Sequence, residues 1–296
     1  YASLLAKTGR RDLGDAAERL FFNAAQGARH PDGMGVAYLK SDNSYAMTGP
    51  LNADPTQPTQ TRYKYSPVHQ DSAVCCVPNA GRIGPYYVQH MWMRDGDALV
   101  ATLLGPCVVE ADIAGHRVRI TEDTVYPFGD ALRFRVEGAL AGLTLRVRRP
   151  AWAARLASSV SHTEREGFAE FVLAPSAEPV SVDIGFCCEV VSHHDQHGER
   201  YFTHGALVLA HAWPAQVAVG RTYPLAGFCD RTYTSSGAPT YMCPADVVVT
   251  RAPGEALRWT TSLYNPAAAR LEPVLLEPMG QTILRQVTFA PVTATT

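Results

Sequence analysis

The chain has 296 residues, 46% of them hydrophobic and 18% charged, with a formal net charge of −2 at pH 7. That length and apolar content predict a globular protein of two or three domains. Arg is scattered among Asp and Glu, so no basic block calls for nucleic acid or a membrane surface, and no apolar run is long enough to span a bilayer.

The opening Tyr1-Ala-Ser-Leu-Leu-Ala-Lys-Thr-Gly9 reads as the last turns of a helix closed by Gly9. A second helix is expected after it, capped by Asp12 or Asp15, with one apolar face of Leu13, Ala17, Leu20, Phe21 and Ala24 and an end near Gly27. From Gln26 to His69 the sequence turns polar and rich in Gly, Pro, Asn and Thr, which predicts long irregular loops. Pro78 suits the first turn of another helix, continued by Ile83, Tyr86, Tyr87, His90 and Met91 to about Met93.

Beyond Arg94 the apolar period changes from 3.6 to 2. Short strands are expected at 98–103, 108–111, 117–120, 133–136, 143–147, 168–173 and 180–186, separated by turn signals such as Gly105-Pro106 and Ala114-Gly115. This is the pattern of a β-sandwich. A polar stretch from Ser192 to Gly198 then divides it from a last strand-rich segment with strands at 206–211, 247–251, 257–261 and 282–289. The expected organisation is α+β and multidomain, with boundaries at 1–94, 95–191 and 192–296.

Cysteine usage bears on both compartment and chemistry. Seven cysteines, at 75, 76, 107, 187, 188, 229 and 243, form an odd number without regular spacing, which favours a reducing, cytoplasmic setting over a secreted disulfide framework. Cys75 and Cys76 stand immediately before Val77-Pro78-Asn79, where a helix is expected to start. Adjacent cysteines bridge each other only with strain, whereas thiolates at a helix start are favoured by unpaired N–H groups and the positive dipole end. A metal-bound or nucleophilic thiolate is therefore sensible here, against the plainer reading of two small apolar residues in a core.

Other residues weigh less. His69 precedes the pair closely enough in sequence to orient the site or bind a hydroxyl, against a plain loop histidine. His193, His194 and His197 have the spacing of metal ligands but lie in a polar stretch, which favours a solvated loop. Cys187-Cys188 lacks the Pro-Asn helix start, and core packing is the better reading. Trp92, Trp152, Trp213 and Trp259 are read as core before sugar platforms.

Several blocks together carry a resemblance. They are Thr8-Gly9, Asp15-Ala-Ala-Glu18-Arg-Leu-Phe-Phe-Asn23, Cys75-Cys-Val-Pro-Asn79, Tyr126-Pro-Phe128 and Leu145-Arg-Val-Arg-Arg-Pro-Ala-Trp152, followed by Gly205 to Ala210 and Glu277 to Thr282. In order and spacing the chain resembles the C-terminal half of glycoside hydrolase family 127. The resemblance implies an α/α (six-hairpin) barrel, of which residues 1–94 would be a remnant, followed by β-sandwich domains. It also implies retaining hydrolysis of β-L-arabinofuranosides. The family holds zinc with one glutamate and three cysteines, so Cys75 would be both nucleophile and ligand, and Cys76 a ligand. The remaining glutamate and cysteine, and the acid/base glutamate, would lie upstream of Tyr1. Tyr38 falls near the family's sugar-pocket tyrosine, and Ala73 stands where characterised members carry another cysteine. The expected partner is a carbohydrate. The competing expectation is a non-catalytic carbohydrate-binding or structural β module with a vestigial Cys-Cys pair.

Overall fold

The computed structural model describes residues 1–37, 40–49, 63–68, 76–237, 239–254 and 257–292. Residue contacts divide the chain into two compact units, each discontinuous in sequence. The first comprises Tyr1–Leu20 and Gly84–Glu189, the second Phe21–Ile83 and Val190–Thr296.

Three α-helices occur among the described residues: α1 (Ala2–Thr8), α2 (Arg11–Arg19), continued by a π-helical turn Leu20–Ala25, and α3 (Cys76–Gln89). Gly9 closes α1 in the left-handed conformation at φ 65°, its N–H returning to the Leu5 carbonyl, as the sequence predicts. Helix α2 departs from expectation. Its cap position is Arg10, and neither Asp12 nor Asp15 caps it. The residues it buries are Gly14 and Glu18, while Leu20 is 48% exposed. The cause is polar. Arg148, itself fully buried, pairs with Glu18 at 2.5 Å and with Asp15. Glu18 also accepts the Leu104 N–H at 2.8 Å and the Tyr126 hydroxyl at 2.5 Å. Gly14 is required there, since a Cβ would stand 2.7 Å from the Arg148 side chain.

The first unit is a sandwich of two five-stranded sheets. One runs Thr163–Arg165, Phe168–Leu173, Leu143–Arg148, Ala98–Ala101 and Trp92–Asp95; the other runs Cys107–Ile113, His116–Thr124, Ala131–Glu137, Val180–Phe186 and Leu156–Ser158. Alternation puts Leu132, Phe134 and Val136 inside and Arg133 and Arg135 outside, as period-2 patterning demands. Trp92 meets Phe134 across the interior, with ring centroids 5.9 Å apart. Trp92–Asp95 is a strand where the sequence predicts the end of a helix. It pairs with Ala98–Ala101 in register, a tertiary gain that outweighs local helical periodicity.

The second unit holds a sheet of Val36–Ala37, Tyr65–Ser66, Cys229–Thr234 and Gln216–Thr222. A larger sheet orders Val190–His194, Arg200–His204, Leu207–Trp213, Arg270–Pro278, Trp259–Asn265 and Thr250–Arg251, with Leu284–Gln286 pairing to Leu207–Trp213. Its core gathers Phe202, Leu209, Trp259, Leu263, Val274, Leu276 and Phe289. The polar stretch 192–198 is a hairpin instead of a dividing loop. Val190–His194 pairs with Arg200–His204, and Asp195 Oδ1 closes the turn by accepting the N–H groups of His197 and Glu199, each at 2.8 Å. Asn23 uses its side-chain amide as a strand would, donating to Ala206 O and accepting from Val208 N, both at 2.7 Å.

Candidate active site

Cys76 is the first residue of α3 and is half-buried. Cys75, Tyr38 and His69 lie outside the described residues. The sequence sets the start of α3 through Pro78, which fits the first turn because its missing N–H would have been unpaired there. No acidic residue occupies that first turn, so nothing on the helix itself opposes a negative sulfur at its positive end. Tyr87 is the buried residue of α3, and its hydroxyl donates to the Leu104 carbonyl at 2.8 Å within the first unit. No disulfide joins the described cysteines.

Within the second unit, the hairpin Ala28 to Ala37 is tied to α3 by Arg29, whose guanidinium donates to the Ala80 carbonyl, about one helical turn past Cys76. Gly33, at φ 76°, makes the turn possible. The hairpin carries His30 and Asp32, and the antiparallel ladder through Tyr65 to Arg231 brings distant residues against them. His30 Nε2 lies 2.6 Å from the Tyr233 hydroxyl and Nδ1 lies 2.6 Å from Asp32. Arg231 pairs with Asp32 at 2.5 Å. Burial lowers the His30 pKa against the opposing pull of Asp32. Burial tends to raise the Asp32 carboxyl, but the Met34 N–H, Arg231 and His30 outweigh it and hold the carboxyl below its ordinary value.

Lys40 also contacts Tyr65. Its Nζ donates to the Tyr65 hydroxyl at 2.8 Å and to the Thr282 carbonyl, and burial, with Arg285 nearby, pulls its pKa down to about 6. Arg285 is buried against the carbonyls of Ser41, Asp42 and Met279. Asp230, only 5% exposed, accepts from Lys64 at 2.6 Å, Ser66 at 2.7 Å and Tyr223 at 3.0 Å. These groups can hold protons and orient hydroxyls, and of them Tyr65 and Ser66 stand on the strand that precedes Cys75 in sequence.

Sequence reasoning passed over His30, Asp32, Lys40, Arg231 and Tyr233. His30-Pro31-Asp32-Gly33 falls in the stretch read as irregular loop, and nothing local links it to a strand roughly two hundred residues on, since register is a tertiary property. The other signals resolve into structure. His193 stacks on Tyr201 with ring centroids 4.9 Å apart and contacts Thr203 Oγ1 at 2.9 Å. Trp152 stacks on Tyr126, Trp92 donates to Cys107 Sγ, Trp213 packs on Tyr45, and Trp259 is 1% exposed. Cys187 and Cys188 are half-buried at the end of their strand.

No protein-family model matches the chain. No curated protein matches it in sequence. Solved structures do match its fold. A GH127 β-arabinofuranosidase aligns over 98% of this chain and 47% of its own, with TM-score 0.71 at 15% identity. A GH127 β-L-arabinofuranosidase from Geobacillus stearothermophilus T6 aligns over 98% and 48%, with TM-score 0.68 at 17% identity. A protein described as a glycoside hydrolase aligns over 98% and 50%, with TM-score 0.70 at 14% identity. The chain thus shares its fold, nearly end to end, with part of these proteins, and it spans about half their length.

Proposed function

We propose that this chain is part of a retaining glycoside hydrolase acting on β-L-arabinofuranosides or related glycans, with Cys75 as nucleophile. The observation that carries the reading is a fold likeness covering 98% of the chain to a β-L-arabinofuranosidase, joined to Cys76 in the first turn of a helix, with Cys75 before it in sequence.

Zinc fits the donors present. Thiolates are preferred zinc ligands, and Cys76 sits where helix geometry favours its charged form. Cys75 and Cys76 would hold the ion, with a glutamate and a third cysteine supplied from outside the chain. When bound, zinc would keep these thiols deprotonated near neutral pH. The Cys75 sulfur would attack the anomeric carbon, forming a C–S bond as the bond to the leaving oxygen breaks; water would then cleave the C–S bond on the same face. The proton for the leaving oxygen would come from an acid upstream. Tyr38 and His69 are proposed to contact the sugar. Helices α1 to α3 would belong to an α/α barrel completed by other helices, consistent with the exposure of Leu4, Leu20, Tyr86 and Val88.

In the full-length parent, Cys75→Ser is expected to abolish turnover and lower zinc content together, whereas Cys76→Ser acts mainly through the metal, because serine is a far poorer nucleophile and zinc ligand. Intact-mass detection of a glycosyl adduct with a mechanism-based inhibitor places the nucleophile. An adduct on a carboxylate, or wild-type turnover by Cys75→Ser with zinc retained, would overturn the thiolate mechanism and favour a non-catalytic module with a structural pair.

A further inference from the structure

Cys76 can serve as a ligand only where the head of α3 is held in place, and the helix itself holds that head poorly. Gly81, Gly84 and Pro85 interrupt it, and Pro85 lacks the N–H that would bond to the Gly81 carbonyl. Among the described residues, a Cβ at Gly81 or Gly84 would meet nothing within 4 Å. Tyr87, the buried residue of α3, lies beyond Pro85, whereas every residue from 76 to 83 is at least partly exposed. Burial therefore does not fix the head.

Arg29, which belongs to the same unit as residues 76–83, supplies a hold from outside the helix. Its guanidinium donates to the Ala80 carbonyl. Ala80 stands four residues after Cys76, on the same face of the helix, and a carbonyl has a second lone pair beyond the one its helical bond uses. A charged donor makes such a bond stronger than an ordinary one. The guanidinium is also delivered from a braced mount. Arg29 forms a backbone bridge with Val36, and the Ala37 N–H donates to the Ala28 carbonyl at 2.7 Å. Asp32 accepts the Met34 N–H at 2.8 Å and pairs with Arg231 on the strand Cys229–Thr234. Arg231 is in register with Tyr65, and Tyr65 with Ala37, which closes the frame around the hairpin.

Fixing Ala80 aims the face of α3 that carries Cys76. Zinc accepts sulfur only near about 2.3 Å and in tetrahedral directions. A misplacement of about 1 Å in a catalytic group can cost about 10²-fold in rate. We infer that Arg29 is a positioning residue of the enzyme, clamping the first turns of α3 so that Cys76, and Cys75 next to it in sequence, are presented to zinc and substrate in a fixed direction. The inference rests on the glycosidase reading above and deepens it, since it names what holds the thiols and not what they do.

Two measurements test it. In the full 296-residue chain, Arg29→Ala is expected to speed hydrogen exchange of the amides at 80–83 about tenfold, the loss of one hydrogen bond to a charged group. The strand Cys229–Thr234 should keep its protection, which verifies that the variant folds. In the full-length parent the same variant should lower kcat about 10- to 100-fold with KM nearly unchanged. Millimolar guanidinium, but not sodium chloride at equal ionic strength, should restore part of that loss, and Arg29→Lys, which keeps a charged donor without the planar fork, should fall between the two. Unchanged exchange at 80–83, exchange that rises across the whole second unit, or a loss of kcat relieved by neither guanidinium nor lysine would overturn the inference. Wild-type kcat in Arg29→Ala, in a parent that Cys75→Ser inactivates, would overturn the clamp and leave the thiolate reading standing. Full turnover by Cys75→Ser would sink that reading, and the inference with it, whatever the exchange shows.

Discussion

Asp15, Glu18, Tyr126 and Arg148 belong to the sequence blocks that resemble a glycosidase family, yet in the structure they form a buried structural network of the first unit. Glu18 and Arg148 are both fully buried, and Arg148 reaches Asp15, Glu18 and the Thr102 carbonyl. Removing Glu18 leaves Arg148 paired with Asp15 alone and strips the buried Leu104 N–H and Tyr126 hydroxyl of their acceptor. Glu18→Ala is therefore expected to destabilise the chain by about 3 to 5 kcal/mol, read as a fall in the urea midpoint. A loss below about 1 kcal/mol would mean that water reaches Arg148. Gly14→Ala should cost about 1 to 3 kcal/mol by overpacking, because the guanidinium it would strike is pinned and cannot swing aside.

At the scale of the element, α3 is a weak helix with a chemically useful end. It carries Gly81, Gly84 and Pro85 internally, and Pro85 removes the N–H that would have bonded to the Gly81 carbonyl. A Cβ at Gly81 would meet nothing within 4 Å. Gly81→Ala should consequently raise the stability of this chain by about 0.5 to 1 kcal/mol through helix propensity, measured by thermal melting. The full-length parent distinguishes the barrel proposal. If other helices cover that face, the same substitution loses its benefit there or becomes destabilising.

At the scale of the molecule, the two units should answer pH in opposite directions. In the first unit Glu122 is buried, accepts the Gly105 N–H at 3.0 Å, and has its pKa pushed up to about 8 by burial. Between 4.5 and about 8 the native state holds a proton that the unfolded chain has released, so stability falls as pH rises through that window. In the second unit Lys40 is shifted down to about 6 from 10.5. Between those values the unfolded chain holds the proton that the native state has lost, so stability climbs with pH. Each slope approaches about 1.4 kcal/mol per pH unit well inside its window. Hydrogen exchange resolved by segment, at pH 5.5 and 8.5 after correction for intrinsic rates, should show protection falling in Leu143–Arg148 and rising in Leu207–Trp213. Glu122→Gln should flatten the first slope and Lys40→Met the second. Parallel slopes in the two units would refute this assignment.

The sequence by itself determined the helix stop at Gly9, the helix start at Cys76 to Pro78 and most strands of the first unit, because turn residues and period-2 alternation are local signals that need no partner. It also carried the motif order that matches the observed fold likeness. Tertiary structure decided the rest. Helix α2 buries Glu18 while leaving Leu20 half-exposed, because a buried guanidinium outweighs apolar periodicity. Trp92–Asp95 became a strand through pairing with Ala98–Ala101, and Gln216–Thr222, unrecognised in sequence, acquired its state from Cys229–Thr234. The grouping of His30, Asp32, Tyr65, Arg231 and Tyr233 had no sequence signature, since strand register brings together residues whose separation in the chain carries no information about their meeting in space.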